Sequence, residues 1–219
     1  MKPSFWHKVW ERNSIGFHQS ELHPFLEEVL KPLLSTDDKS VFVPLCGKSL
    51  DMVWLAERME VVGSELSEIA CRDFFSEKKL QPSITVEDNF CLYQYDNITL
   101  YQGDFFALKA KQFNTFDWIY DRAALIALPK EMQQLYVSHL TSFIEENTKL
   151  ILVSLEFPEE EMSGPPFPIL GTDLENLFKG FNIESIYTHE LADKRFAQRR
   201  FDVSKLVERA YIISRANCS

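Results

Sequence analysis

The chain has 219 residues, of which 45% are hydrophobic and 26% are charged, and its net charge is −10. This length suits one domain with a buried core, and the hydrophobic content is too high for a disordered chain. The acidic balance argues against a nucleic-acid-binding surface, and no apolar run approaches the roughly 20 residues that span a bilayer.

The first 35 residues predict two helices before any strand. Residues 3–12 predict a polar helix that carries four large apolar side chains on one side, namely Phe5, Trp6, Val9 and Trp10. In a second helix, Pro24 occupies the first turn and seven apolar residues keep the 3.6-residue period: Leu22, Phe25, Leu26, Val29, Leu30, Leu33 and Leu34. We assign residues 1–35 to an N-terminal helical segment and residues 36–219 to the core of one domain, 1–219.

Short apolar runs then alternate with amphipathic helices. The predicted strands lie at 41–45, 61–63, 98–101, 116–120 and 150–155, with two closing strands near 182–189 and 205–213. The helices between them include one with an N-cap at Ser67 and one with a capping box at Thr172-x-x-Glu175, whereas residues 81–95 are expected to be irregular. This order predicts a Rossmann-like α/β fold, a doubly wound and mostly parallel sheet with one antiparallel edge strand. Its ligand should lie at the carboxyl ends of the strands.

The first strand-to-helix turn argues against phosphate-bearing cofactors. Residues 43–49 read V-P-L-C-G-K-S and contain one glycine, Gly47, so the three-glycine dinucleotide fingerprint is absent. A P-loop would need a glycine at position 42, where the chain has Phe42. One glycine suffices for a ligand without phosphates.

Acidic residues follow the second and third strands. Glu65 lies 18 residues after Gly47, close to the spacing at which a carboxylate meets the ribose hydroxyls of a bound nucleoside. Asp104 and Phe105 end the third strand, where an acid and an aromatic ring fit an adenine. Ribose and adenine contacts without a pyrophosphate cradle indicate S-adenosylmethionine as the cofactor. The alternative is that Glu65 is an exposed acid in a loop.

A charged pair follows the fourth strand, where a methyl donor would be presented. Asp121 and Arg122 are therefore the candidate catalytic residues, with a purely structural ion pair as the alternative. No Asn-Pro-Pro-Tyr tetrad stands here, which argues against N-methylation of a base or an amide. The basic cluster Lys194, Arg195, Arg199 and Arg200 is either a solvated face or a contact for a small anion.

Six motifs in chain order make the sequence similar to the thiopurine S-methyltransferase family. They are Trp6-x-x-x-Trp10 with Gly16-Phe17-His18, and the segments 43–52, 61–68, 103–106, 121–125 and 164–167. The resemblance covers about residues 5–170, and beyond 182 only strand character and the arginine cluster match. One departure is Ser64, where a valine would be more usual.

This resemblance implies a class I methyltransferase that transfers a methyl group to the sulfur of small aromatic or heterocyclic thiols such as thiopurines, and also to selenium or tellurium compounds. It implies that the segment from Trp6 to Phe17 closes over the cofactor as a lid. The implied cofactor-binding residues are Trp6, Trp10, Phe17, Leu45, Gly47, Glu65, Asp104, Phe105 and Arg122. The implied substrate-side residues are Phe17, Arg122 and Arg195.

Two other function classes stay open at this stage. One is an O- or N-methyltransferase for small molecules, and the other is a non-catalytic domain that binds S-adenosylmethionine. Aromatic thiols ionise readily, so a sulfur acceptor needs no strong base, and His18 is the one candidate for handling a proton. The scattered cysteines and the absence of a signal sequence predict a cytoplasmic protein without a metal. We expect a monomer that binds neither nucleic acid nor membrane.

Overall fold

A computed structural model describes residues 2–197 and 199–216 of the chain. These residues form two compact units, residues 2–112 and the described residues from Phe113 onward. No helix among the described residues is both long and apolar enough to cross a membrane.

The N-terminal segment contains both predicted helical stretches. Helix α1 spans Pro3–Glu11. The second stretch is not a regular α-helix. It consists mainly of a π-helical turn over Leu26–Leu30, which is followed by a 3₁₀ turn over Lys31–Leu33. Pro32 explains this ending, since a proline has no N–H for an α-helical hydrogen bond and its ring clashes with the preceding turn.

The rest of the first unit is a mixed sheet with helices. Its elements are β1 (Ser40–Val43), α2 (Asp51–Ala56), β2 (Glu60–Glu65), α3 (Glu68–Glu77), β3 (Ser83–Glu87), β4 (Phe90–Tyr95) and β5 (Ile98–Gln102). The strand order is β3-β4-β5-β2-β1, in which β1, β2 and β5 run parallel and β4 runs antiparallel to both neighbours. The predicted N-cap is confirmed, because the Ser67 hydroxyl accepts a hydrogen bond from the Ala70 N–H.

The prediction that residues 81–95 are irregular is wrong. They form the β3–β4 hairpin, in which every residue of β3 is exposed and Val86 is 77% exposed. The apolar-polar alternation through Ile84 and Val86, followed by Asp88-Asn89 at the turn, was the sequence signal for it.

The second unit continues the alternation. Its elements are β6 (Trp118–Arg122), α4 (Lys130–Leu140), β7 (Lys149–Glu156), α5 (Gly171–Leu177), β8 (Phe181–Glu190), β9 (Arg195–Phe196), β10 (Arg199–Arg200) and β11 (Val207–Arg215). The strand order is β6-β7-β11-β8, and β9 pairs with β10 in a separate hairpin.

The closing strands are antiparallel as predicted, but the antiparallel strand is not the outermost one. Strand β11 pairs antiparallel with β7 on one side and with β8 on the other, so β8 is the last strand in this order.

The capping box predicted at Thr172 is also displaced. Helix α5 begins at Gly171, and the carboxylate of Asp173 accepts the hydrogen bond from the N–H of Leu170.

Candidate cofactor and active site

Three consecutive backbone N–H groups of the turn after β1 donate hydrogen bonds to the end of β2. Leu45 donates to the Ser64 hydroxyl at 3.2 Å, and Cys46 donates to the Ser64 carbonyl at 2.8 Å. Gly47 donates to the Glu65 carboxylate at 2.9 Å. Parallel pairing of Val43 with Gly63 brings the two strand ends side by side and makes these contacts possible.

Two glycines allow this close approach. Gly47 has a φ of 54°, a left-handed conformation in which glycine carries no penalty. At Gly63 a Cβ would lie 2.6 Å from Leu100 Cδ2 and 2.9 Å from Cys46 Sγ, so any larger residue would require these side chains to shift.

Glu65 is the hub of these contacts. It is 6% exposed, and its second carboxylate oxygen accepts a hydrogen bond from the Ser67 N–H at 2.7 Å. Its carbonyl accepts one from the Gly103 N–H at 2.9 Å. Burial raises the pKa of Glu65 to about 7, although the backbone N–H groups of Ser67 and Gly47 oppose the shift. A carboxylate oxygen carries two lone pairs, so each retains acceptor capacity for a hydroxyl group.

The third strand end holds Asp104 and Phe105, the two residues predicted to contact adenine. Asp104 is exposed, with its carboxylate accepting a hydrogen bond from the Phe106 N–H at 3.0 Å. The Phe105 ring is 2% exposed and stacks on Phe42 at 6.3 Å. The Phe105 ring is therefore part of the core, whereas the ring of its neighbour Phe106 is 40% exposed.

The N-terminal aromatics form one cluster. Phe17 makes edge-to-face contacts with Trp6 at 6.0 Å and with Trp10 at 5.8 Å. Trp10 is 6% exposed, and a Cβ on Gly47 would lie 3.4 Å from its ring. The predicted lid residues therefore come together, and Trp10 lies beside the turn that carries Leu45 and Gly47.

Lys48 is a residue of this turn that the sequence reasoning missed. Its side chain is 6% exposed, and its ammonium lies 2.5 Å from Glu77 and 3.8 Å from Asp73, both on α3. The Gly-Lys-Ser triplet is the sequence signal for Lys48, although without a glycine at position 42 it does not indicate a P-loop. The contact ties the turn to α3.

In the second unit, Asp121 is completely buried and serves the loop that follows β6. One carboxylate oxygen accepts hydrogen bonds from the N–H groups of Ala124 and Leu125, at 3.0 and 3.2 Å. The other accepts one from the Tyr136 hydroxyl at 2.8 Å. Burial raises the pKa of Asp121 to about 6. This geometry favours a positioning role for Asp121, and its catalytic role stays a prediction.

Arg122 ends β6 and is half-buried, ahead of Ala123, which has a φ of 77°. Arg195 is exposed on β9 and lies opposite Arg200 in the β9–β10 hairpin. Arg199 is the member of the basic cluster that reaches the 164–167 motif, because its guanidinium donates to the Pro165 carbonyl at 3.2 Å. From the sequence, the predicted substrate-side residue of this cluster is Arg195.

These contacts fit an adenosyl ligand that carries no phosphate. The N–H groups of Leu45, Cys46 and Gly47 all donate to β2, so they do not form a cradle for a pyrophosphate. The buried carboxylate of Glu65 supplies acceptors for ribose hydroxyls. Among residues 2–197 and 199–216, no group of three or more His, Cys, Asp or Glu residues is placed to hold a metal ion.

Comparisons with known proteins point to the same cofactor. A family model described as thiopurine S-methyltransferase matches residues 1–216. A thiopurine S-methyltransferase of Photobacterium profundum is 38% identical over 214 residues, which are 97% of this chain and 99% of that protein.

Solved structures show the fold. The SAM-dependent methyltransferase of Anabaena variabilis superposes with a TM-score of 0.66 at 15% identity, covering 97% of this chain and 95% of that one. The 1,6-didemethyltoxoflavin-N1-methyltransferase of Burkholderia thailandensis, with S-adenosylhomocysteine bound, has a TM-score of 0.63 at 10% identity, covering 97% and 87%. The class I methyltransferase fold predicted from the sequence is confirmed.

Proposed function

The chain belongs to the thiopurine S-methyltransferase family, and we propose that its acceptors are small aromatic or heterocyclic thiols such as thiopurines. It is an S-adenosylmethionine-dependent methyltransferase. The near-full-length match to this family is the observation on which the proposed specificity for sulfur rests. We extend the proposal to small selenium and tellurium nucleophiles, which are more polarisable than sulfur and ionise at lower pH.

Most of the residues proposed to bind the cofactor belong to the first unit. Glu65 accepts hydrogen bonds from the ribose hydroxyls, and the Leu45–Gly47 turn holds the methionine side of the cofactor. Asp104 accepts a hydrogen bond from the adenine amino group, and Phe105 contributes only through its backbone. Trp6, Trp10 and Phe17 cover the cofactor, with residues 1–35 acting as the lid of one methyltransferase domain, 1–219. The contacts of Glu65 and Trp10 with the Gly47 turn support this assignment.

The acceptor side is proposed to use Arg122, together with Phe17 and a residue of the β9–β10 hairpin. Arg122 would orient an anionic acceptor or the cofactor carboxylate through its planar guanidinium. We retain Arg195 as a substrate-side candidate and add Arg199, because Arg199 contacts the Pro165 carbonyl within a motif of the family resemblance.

The proposed reaction requires little acid–base catalysis by the protein. S-adenosylmethionine supplies a methyl group that its sulfonium activates for in-line displacement by the acceptor sulfur. Because aromatic thiols ionise readily, the protein's contribution is to align the acceptor and to exclude water, and alignment by itself provides a large rate advantage. His18 is the candidate for accepting the proton of an acceptor that is still protonated.

We propose that the enzyme acts in the cytoplasm as a monomer, on a small molecule and not on nucleic acid. Buried free thiols at Cys46 and Cys71 support a reducing compartment. The net charge of −10 supports the absence of nucleic-acid binding.

Matched acceptors test the sulfur specificity. Purified enzyme with S-adenosylmethionine is offered 4-mercaptobenzoate, 4-hydroxybenzoate and 4-aminobenzoate, which differ only in the nucleophilic group, together with a thiopurine. Formation of S-adenosylhomocysteine and of the methylated product is followed by mass spectrometry. We expect turnover of the two thiols alone, unaffected by EDTA.

Turnover of the hydroxyl or amino acceptor in place of the thiols would contradict the proposal. Loss of activity in EDTA that magnesium restores would favour O-methylation assisted by a metal. Binding of S-adenosylhomocysteine without turnover of any acceptor would indicate a non-catalytic binding domain.

A further inference from the structure

The side chain of Lys48 leaves the turn after β1 and reaches the carboxylate of Glu77, 29 residues further along the chain. Only 6% of the lysine side chain is exposed, and its ammonium lies 2.5 Å from Glu77 and 3.8 Å from Asp73. These two acids are four residues apart and therefore share one face of α3. The buried ammonium thus has two anionic partners on a single helix.

Gly47, the residue before Lys48, depends on its neighbours for its conformation. Its φ is 54°, and a glycine adopts many other conformations at little cost. On one side, its N–H donates to the Glu65 carboxylate at 2.9 Å. On the other side, its peptide bond leads directly to Lys48, whose ammonium is held on α3. Together, these two contacts restrict the Gly47 backbone from both directions.

The helix that receives Lys48 is held by the same carboxylate as the turn. One oxygen of Glu65 accepts from the Gly47 N–H, and the other accepts from the N–H of Ser67, the N-cap of α3. Glu77 is the last residue of that helix. The turn and α3 are therefore joined twice, at the start of the helix through Glu65 and at its end through Lys48.

Stability alone does not account for a buried lysine at this position. Removing an ammonium from water is costly, and apolar side chains of similar volume often stabilise a fold as well as a buried ion pair does. A charge-assisted hydrogen bond differs from an apolar contact because it is directional. The ion pair of Lys48 therefore fixes where the turn lies relative to α3, which an apolar side chain would not do.

We propose that Lys48 is a positioning residue for cofactor binding, whose ion pair with α3 holds Gly47 in the conformation that donates to Glu65. This role rests on the proposed function, in which Glu65 binds the ribose and the Leu45–Gly47 turn holds the methionine side of S-adenosylmethionine. Lys48 acts through Gly47 and not by touching the cofactor, because its side chain is directed to α3.

Two variants remove the ion pair from opposite ends. Lys48→Met keeps an unbranched side chain without the charge, and Glu77→Gln keeps the shape of the half-exposed acid without its charge. We expect Lys48→Met to raise the Kd for S-adenosylhomocysteine by about tenfold. Glu77→Gln should raise it by about threefold, since its amide oxygen and Asp73 still accept from the ammonium. The double variant should bind no more weakly than Lys48→Met, because both changes break one contact.

Glu68→Gln is the matched control, because it removes another carboxylate of α3, whose partner is the exposed Arg72. It should bind S-adenosylhomocysteine as the wild type does. Amide hydrogen exchange followed by NMR reads the turn directly. The Gly47 amide should be protected in the wild type and in Glu68→Gln, and should exchange faster in Lys48→Met. At saturating cofactor, kcat and the KM for the thiol should stay within about twofold of wild type, because the acceptor side is unchanged.

A wild-type Kd and wild-type Gly47 protection in folded Lys48→Met would overturn the proposal. A lower melting temperature of Lys48→Met with an unchanged Kd would overturn it too, because that outcome describes stability alone. Additive effects of the two changes would show that they act separately, against the proposal. If Lys48→Met does not fold, Glu77→Gln decides by the same Kd and exchange measurements.

Glu65→Ala, measured in parallel, separates this role from the proposed function. If it also leaves the Kd unchanged, the proposed cofactor site is wrong. If it weakens binding while Lys48→Met does not, only the role of Lys48 fails.

Discussion

The N–H of Gly47 donates to the carboxylate of Glu65 at 2.9 Å, across 18 residues of sequence. The bond joins the turn after β1 to the end of β2. Because Glu65 also holds the N–H of Ser67 at the start of α3 and that of Gly103 after β5, three loops meet at one residue. A ligand that contacts Glu65 therefore contacts a group that the fold has already fixed, which lowers the entropic cost of binding.

Removal of this carboxylate should weaken cofactor binding. We expect Glu65→Ala to lose about 1.5–3 kcal/mol of binding free energy for S-adenosylhomocysteine, since hydrogen bonds to a charged group are the stronger ones. Isothermal titration calorimetry measures the loss. Glu60→Ala, which removes an exposed acid from the same strand, is the control and should bind as the wild type does. Wild-type affinity in a folded Glu65→Ala protein would contradict the ribose assignment.

The buried Glu65 should also make stability depend on pH. Its pKa rises from an ordinary value of 4.5 to about 7, so the empty folded protein binds more protons than the unfolded chain between these values. The free energy of unfolding should therefore fall as the pH rises through this window, by about 1 kcal/mol from pH 6 to pH 8. Urea unfolding should show this fall in the wild type and a flatter profile in Glu65→Gln. Identical profiles would contradict the raised pKa.

Tyr136 should stabilise the loop that follows Arg122. Tyr136→Phe removes the hydroxyl that donates to Asp121 at 2.8 Å and leaves a buried carboxylate oxygen without this donor. We expect the free energy of unfolding to fall by about 1–3 kcal/mol, measured in urea at pH 8, where Asp121 is charged. Tyr95→Phe, at an exposed tyrosine, should change little. Equal stability of the two variants would remove the role of the Asp121–Tyr136 contact.

Arg122 should matter through its geometry as well as its charge. Arg122→Ala should lower kcat/KM for 4-mercaptobenzoate by about tenfold or more, and Arg122→Lys by less, because lysine keeps the charge but loses the planar fork. Arg72→Ala, on the exposed surface of α3, is the control. Small and equal effects of both Arg122 variants would assign Arg122 to a structural role.

Cofactor binding should order the N-terminal segment. Trp6, Trp10 and Phe17 pack on one another, and Trp10 lies against the Gly47 turn, so a ligand at that turn adds contacts to them. Hydrogen exchange over residues 5–18 should slow when S-adenosylhomocysteine is added, whereas exchange over Ser83–Glu87 should not change. Deletion of residues 1–18 should leave a folded domain with little turnover. Full activity of that truncated protein would argue against a lid.

The sequence was sufficient for the fold class and for the cofactor. Alternating short apolar runs and amphipathic helices predict a mostly parallel sheet, because buried parallel strands are apolar throughout and connect through helices. The spacing from Gly47 to Glu65 predicts their proximity for the same reason, since adjacent parallel strands end at one edge. These features depend on local pattern and connection length, which a sequence displays directly.

Other features were decided by tertiary packing alone. Phe105 and Phe106 are identical in the sequence, and only the packing on Phe42 determines which ring is buried. Asp121 is a candidate catalytic residue in the sequence, which does not reveal that the hydroxyl of Tyr136, 15 residues away, donates to one of its carboxylate oxygens. Burial and long-range hydrogen bonds depend on which faces of separate elements pack together. The sequence of a single strand or turn does not indicate which element will pack against it.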